Sequence, residues 1–160
     1  MRHPDLFLRA ATQADADPVA TLIRTARHTA MPWLREPGSA EDQADWVRFV
    51  LIPSGTVVIA ARPDASADPD VPATVVGVSS VHDGWLDQLY VAPEVQGAGV
   101  GTVLLDDAKR RSPAGLHLWV FQRNDRARRF YEERGCRPVR FTDGRENMER
   151  EPDVLYRWEP

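Results

Sequence analysis

The sequence predicts an α/β domain built on a mixed sheet, and three observations carry that expectation. A two-residue turn signal, Asp83-Gly84, joins two β-rich runs and calls for an antiparallel hairpin. A glycine-rich turn over residues 96–101 leads from a strand into an amphipathic helix, as a helical crossover does. Hairpins and crossovers in one chain imply a sheet with both parallel and antiparallel neighbours. At 160 residues, with no repeat or linker, the chain reads as a single domain over 1–160.

The elements follow in order. Residues 6–10 form a short strand, and Thr12 or Asp15 caps a helix running to about residue 30. Val19, Leu22, Ile23 and Ala26 make its apolar stripe, and Pro32 closes it. Ser39, with Asp42 three residues on, caps a second helix whose expected apolar face is Trp46, Val47, Phe49 and Val50. Residues 56–61 are a strand, and 62–72, rich in Asp and Pro, are expected to be a mobile surface loop. Strands at 74–81 and 85–91 flank the hairpin turn. A helix then runs to about 111, with Val103, Leu104, Leu105 and Ala108 expected inside. Residues 116–121 are a strand. A helix from Asn124 to about 134 ends at Gly135, and two last strands cover 139–142 and 154–158.

Composition narrows the function. The formal net charge of −4 gives no global basic field for nucleic acid. The average hides an imbalance: residues 109–140 hold ten basic and three acidic residues, while 141–160 hold three basic and six acidic. Lys109 is the only lysine among twenty basic residues, a bias of composition rather than of function. The single Cys136 excludes an internal disulfide and a Cys-rich zinc site, and no metal site is expected. No apolar run approaches a membrane span, and residues 1–5 lack the apolar core of a secretory signal, so a cytoplasmic protein is expected.

The turn Gln96-Gly97-Ala98-Gly99-Val100-Gly101 lets successive N–H groups face one point, beside the positive end of the following helix. That suits a phosphate or pyrophosphate. The P-loop ending in Gly-Lys-Ser/Thr is absent, and the glycine spacing is not that of a dinucleotide fingerprint.

Leu89-Tyr90-Val91-Ala92-Pro93 followed by Gln96-x-x-Gly99-x-Gly101, and then Asn124, Ala127, Phe130-Tyr131-Glu132 and Gly135, resemble the two cofactor motifs of the GNAT-type N-acetyltransferases. The resemblance lies between about residues 75 and 136; the first 70 residues match in element order alone. It implies a GNAT acyl-CoA N-acyltransferase fold of six to seven strands and four helices, with a sheet split into a V between the strands at 85–91 and 116–121. It implies a bulge around Leu89-Tyr90, with residues 89–91 bonding the pantetheine arm of acetyl-CoA. It places the pyrophosphate on Gln96, Gly97, Ala98, Gly99, Val100, Gly101 and Thr102. Asn124 and Ala127 would meet the arm and Arg128 a phosphate.

The chemistry it implies is direct acetyl transfer to a primary amine, of a small molecule or of a protein; a small molecule is favoured, because the helices at 15–50 and the loop at 143–153 can close a pocket. Tyr131 is the expected general acid and the N–H groups of residues 89–91 the carbonyl donors. Some relatives carry a Glu five residues before the Asn; here that position is Trp119. Asp87 is the favoured candidate base or ammonium guide, with His28, His82 and His117 as alternatives, and alternation puts Asp87 on one face with Trp85, Leu89 and Val91. Trp33, Trp85, Trp119, Asp87, Glu146 and Glu149 are the expected acceptor contacts, the last two on an acidic loop suited to a cationic amine. No nucleic acid or membrane partner is expected, and the assembly is a monomer or a homodimer. The missing Glu motivates the alternative, a catalytically weak CoA-binding or sensor module.

Overall fold

The computed structural model describes residues 5–66 and 68–160; the readings of residues 1–4 and of Ala67 lie outside the described residues. The strands are β1 (Phe7–Ala10), β2 (Val57–Arg62), β3 (Thr74–His82), β4 (Trp85–Val91), β5 (Leu116–Phe121), β6 (Arg137–Phe141) and β7 (Asp153–Trp158). They form one mixed sheet, as the sequence predicts; its order is β1-β2-β3-β4-β5-β7-β6, with β4 and β5 the parallel pair. The helices are α1 (Ala16–Ala30), α2 (Ala40–Trp46), α3 (Val100–Arg111) and α4 (Asp125–Glu132). Among the described residues no helix is long and apolar enough to cross a membrane.

Local chemistry sets the boundaries. Asp83 and Gly84 have φ of 47° and 78°, the double positive turn that matches strand twist in a tight hairpin. Ser39 and Asp42 form a reciprocal capping box: the Asp42 N–H donates to Ser39 Oγ at 3.1 Å and the Ser39 N–H to Asp42 Oδ2 at 2.8 Å. Asn124 Oδ1 accepts from the Ala127 N–H at 3.2 Å and starts α4. At its other end Gly135 takes φ 88°, and the Cys136 N–H closes on the Tyr131 carbonyl at 3.0 Å.

Two apolar faces differ from expectation. After α2 the chain enters a π-helical turn, Val47–Leu51, whose extra residue rotates the stripe. Val47 is buried as expected, joined by Leu51 and Ile52, while Trp46, Phe49 and Val50 stand exposed, Phe49 by 68%. In α3 the i, i+4 row Val100, Leu104 and Ala108 faces the sheet together with Leu105. Val103 falls a third of a turn off that row and is exposed.

The sheet is split. β4 and β5 share the single pair Trp85↔His117, beside which the His117 N–H donates to the Gly84 carbonyl at 2.8 Å. Past that point the strands diverge into two arms with separate apolar cores. The bulge lies two residues earlier than expected: Ser80 pairs with Gln88 and Val81 with Leu86, so Asp87 is the extra residue. The bulge corrects the expected shared face. Trp85 stands opposite His82, but Leu89 and Val91 stand opposite Ser79 and Gly77, on the other side of the sheet. Tyr90, opposite Val78, returns to the side of Trp85.

α3 and α4 cover one side and α1 covers the other on the β4 arm. Gly77 lets α3 sit close, since a Cβ there would lie 2.8 Å from Leu104 Cδ1 and 3.0 Å from Val100 Cγ1. On the second arm the α1 side of β5 and β7 carries no helix, and Trp119 is 43% exposed there.

Two outcomes are expected from urea unfolding. Gly77→Ala overpacks the α3 contact and lowers stability by about 1–3 kcal/mol. Asn124→Ala loses the α4 cap at a cost of about 1 kcal/mol, while Asn124→Asp keeps most of it.

Candidate active site

Building starts at the turn between β4 and α3. A single turn of 3-10 helix, Pro93–Val95, buries Val95 and anchors the chain after β4. Gly97 and Gly99 then take φ of 80° and 90°, which glycine adopts without strain. The first helical bond of α3 runs from the Val103 N–H to the Gly99 carbonyl. The N–H groups of Gly97, Gly99, Val100, Gly101 and Thr102 therefore have no protein acceptor among the described residues. They form a donor-rich end on a twelve-residue helix. Gly101 also serves packing. A Cβ there would lie 3.2 Å from the Phe130 ring, so its absence lets α3 pack on α4. Arg134 bridges the same contact, donating to Thr102 Oγ1 at 3.0 Å and lying over the Phe130 ring at 4.0 Å. The Gln96 side chain turns back to the Val91 carbonyl at 3.1 Å.

The turn opens onto the split. Beyond Trp85 the β5-facing backbone groups of β4, which include those of residues 89–91, have no strand partner. Tyr131 reaches the same region from α4. It is buried, edge-on to Phe130 at 5.1 Å and tilted against Tyr156 at 6.4 Å. Its hydroxyl makes no hydrogen bond among the described residues, and burial, then nearby Tyr90, hold its pKa above that of an ordinary phenol. Ala127 packs half-buried against the second core. Arg128 turns toward the strands, donating to the Tyr156 hydroxyl at 3.0 Å and lying over Phe141 at 5.6 Å. Cys136 is buried, and desolvation pushes its thiol pKa up, against nucleophilic use.

Asp87 occupies the bulge of β4 and is exposed. Partial desolvation raises its pKa, offset in part by His82. Trp85 lies against His117 at 5.1 Å, at the closed end of the V. Trp119 stands one position further along the bare face of β5. With Phe121, Arg140, Glu146 and Glu149 it lines a hollow of about 740 Å³. Trp33 stands beside that hollow, edge-on to Phe121 at 6.2 Å and covered by Arg123 at 4.1 Å.

The acidic loop between β6 and β7 is held by its own charges. Asp143 pairs with Arg145 at 3.1 Å, Glu151 with Arg123 at 2.6 Å, and Asp153 accepts from Asn147 at 3.0 Å and from the Thr142 hydroxyl. Glu149 pairs with Arg27 at 3.4 Å. Glu146 is the carboxylate of this set that has neither an ion pair nor a hydrogen bond among the described residues. Arg27 is the residue that sequence reasoning passed over. It sits four positions after Ile23, at the border of the α1 stripe, and a charge there was the available signal. Arg123, Phe121 and Arg140 were missed as well; nothing local marks them.

The geometry so far is a donor turn, a split sheet with a free strand edge, and a phenol beside it. The description "Acetyltransferase (GNAT) family" belongs to the family model that matches residues 21–136. No match was found among curated proteins. Solved structures share the fold at low identity. Apo YjaB of Escherichia coli is 19% identical, with 96% of this chain and 97% of that one covered and a TM-score of 0.75. The PaiA N-acetyltransferase of Thermoplasma acidophilum, solved with coenzyme A, is 18% identical over 97% and 99% of the two chains, with a TM-score of 0.69. NAA60 of Arabidopsis thaliana, solved with a bisubstrate analogue, is 18% identical over 96% and 97%, with a TM-score of 0.67. The family match spans most of the sequence and includes both motifs that border the split, and the chain belongs to the GNAT acetyltransferase family.

Proposed function

We infer that this protein transfers an acetyl group from acetyl-CoA to a primary amine carried by a small molecule. One observation carries the reading: a donor-rich turn runs straight into an unpartnered strand edge that faces the buried Tyr131. The residues present fit the cosubstrate. The free N–H groups from Gly97 to Thr102 suit a pyrophosphate, and the edge of β4 suits an extended amide-bearing arm lying as an extra strand. Gly97 has open space around its missing Cβ, which leaves the turn accessible. PaiA, of the same fold, was solved with coenzyme A.

The roles then divide among named groups. The N–H groups of residues 89–91 donate to the carbonyl oxygen and polarise it. The Tyr131 proton, kept on the phenol by burial, is given to the departing sulfur. Asp87 takes a proton from the incoming ammonium, directly or through water, since its raised pKa makes it a better base than an exposed carboxylate. The Asn124 amide N–H₂ is left free by the cap, which uses Oδ1, and can bond the arm. Glu146 and the Trp119 face are the groups open to the acceptor.

Thiol release from acetyl-CoA over a panel of amines tests the reading. Turnover is expected with at least one small amine. Coenzyme A that raises the melting temperature without any turnover supports the weak binding module instead.

With the best amine, Tyr131→Phe is expected to lower kcat about tenfold or more with little change in coenzyme A affinity. Asp87 must be ionised to accept a proton, so kcat/KM rises with pH through a value above the ordinary carboxylate range. Asp87→Asn lowers kcat/KM on the order of a hundredfold and removes that limb of the profile. An unchanged profile rules Asp87 out as the base.

Gly99→Asp combines a strained positive φ with a negative charge at the donor turn. Coenzyme A binding, read by calorimetry, should be lost. Retained affinity would place the pyrophosphate elsewhere.

A further inference from the structure

The two arms of the V are joined again on the α1 side, by side chains. α1 packs on β3 and β4, so it belongs to the first arm. The loop over residues 142–152 belongs to the second: the Gln122 N–H donates to the Pro152 carbonyl at 2.9 Å, and Gln122 Nε2 donates to the Thr142 carbonyl at 2.8 Å. Arg27, in the last turn of α1, spans the gap. Its Nη2 donates to Glu149 Oε1 at 3.4 Å on the far arm. Its Nη1 donates to the Tyr90 hydroxyl at 2.9 Å and its Nε to Glu36 Oε1 at 3.2 Å, both on its own arm.

The guanidinium is well covered, with 15% of the Arg27 side chain and 18% of the Glu149 side chain exposed. Burial opposes its charge, yet the Tyr90 hydroxyl and the Glu36 carboxylate outweigh it, and its pKa rises. A cation held this way stays charged at any working pH, so the clasp does not open by titration. A second crossing lies beside it. Arg123, following β5, covers the Trp33 ring of the first arm and pairs with Glu151.

We propose that Arg27 is a positioning residue for the acceptor amine, acting as the keystone of a roof that ties the two arms of the split sheet together. This rests on the acetyl-transfer reading above and deepens it. With the α1 side bridged at Arg27 and at Arg123, the acceptor approaches over the bare face of β5, through the hollow at Trp119 and Glu146. Arg27 touches neither the thioester nor the amine. It fixes the loop that carries Glu146 by anchoring it to α1 and, through the Tyr90 hydroxyl, to β4, so the acceptor meets a formed pocket rather than a mobile loop.

The test compares wild type with Arg27→Gln, Glu149→Gln, the double variant and Glu36→Gln. It measures kcat and KM for the best amine, and hydrogen exchange of residues 142–152. Coenzyme A stabilisation on melting reports that each variant is folded with its cofactor side intact. Arg27→Gln and Glu149→Gln are each expected to raise the amine KM on the order of tenfold and to speed exchange of the loop. Their kcat should stay within about threefold, because the reacting groups are untouched.

The double variant should be no worse than either single one, since both cut one bridge. Glu36→Gln removes the same charge from the same guanidinium within one arm, and should leave KM within about twofold. Glu149→Gln keeps the shape of the loop and stays informative if Arg27→Gln fails to fold. Effects that multiply in the double variant would make Glu149 a direct amine contact and overturn the proposal, as would an unmoved KM. A wild type that acetylates no amine defeats the acetyl-transfer reading, and this one with it; turnover with an unmoved KM defeats this one alone.

Discussion

The divergence of β4 from β5 after one residue pair is the constraint on which the rest depends. Strand backbones in the middle of a sheet are normally paired on both sides. Here β4 keeps β3 along its length and gives up β5 beyond Trp85, which leaves a strand edge inside a continuous sheet. An interior edge needs support from elsewhere. Each arm supplies its own apolar core, the first around Val19, Ile59 and Val78, the second around Leu105, Leu118 and Tyr156. α3 and α4 hold the arms together on one side through Gly101 against Phe130, and through Lys109, whose ammonium donates to the Arg134 carbonyl at 2.7 Å. Side chains alone hold them on the other.

The basic block between residues 109 and 140 has a use in this frame. Many of its members cap, bridge or cover: Lys109 binds a carbonyl at the end of α4, Arg134 ties α4 to α3, Arg128 holds Tyr156, and Arg123 covers Trp33. Arg126 and Arg129 remain exposed on α4. Arginine suits such work because its planar fork donates in several directions while its face lies on a ring. The acidic loop shows the converse, with most of its carboxylates answering a nearby donor.

What the sequence made legible was local. The hairpin at Asp83-Gly84, the capping box at Ser39 and Asp42, and the ends of α4 at Asn124 and Gly135 each depend on a few consecutive residues. The glycine-rich turn between β4 and α3 was legible for the same reason. The bulge at Asp87 was misplaced because register is a property of two strands, and one residue of slip moves every side chain after it to the other face. The π-helical turn after α2 misled the apolar stripe in a similar way. The crossing between α1 and the loop over residues 142–152 was least legible. Arg27 meets Tyr90 and Glu149 across 63 and 122 positions of chain, and no spacing rule reaches that far.

The loop over residues 142–152 is closed at its base before it reaches the strands. Gly144 lies so near the backbone of Glu151 and Pro152 that no side chain fits there, and the Thr142 N–H donates to the Asp153 carbonyl at 3.0 Å. The tip therefore hangs from a pinched neck, and Asn147 ties it back to that neck through the Glu151 carbonyl and the Asp153 carboxylate. A change at Gly144 or Asn147 is then felt along the whole loop, as far as the Glu149 carboxylate that answers Arg27, rather than at its own position alone.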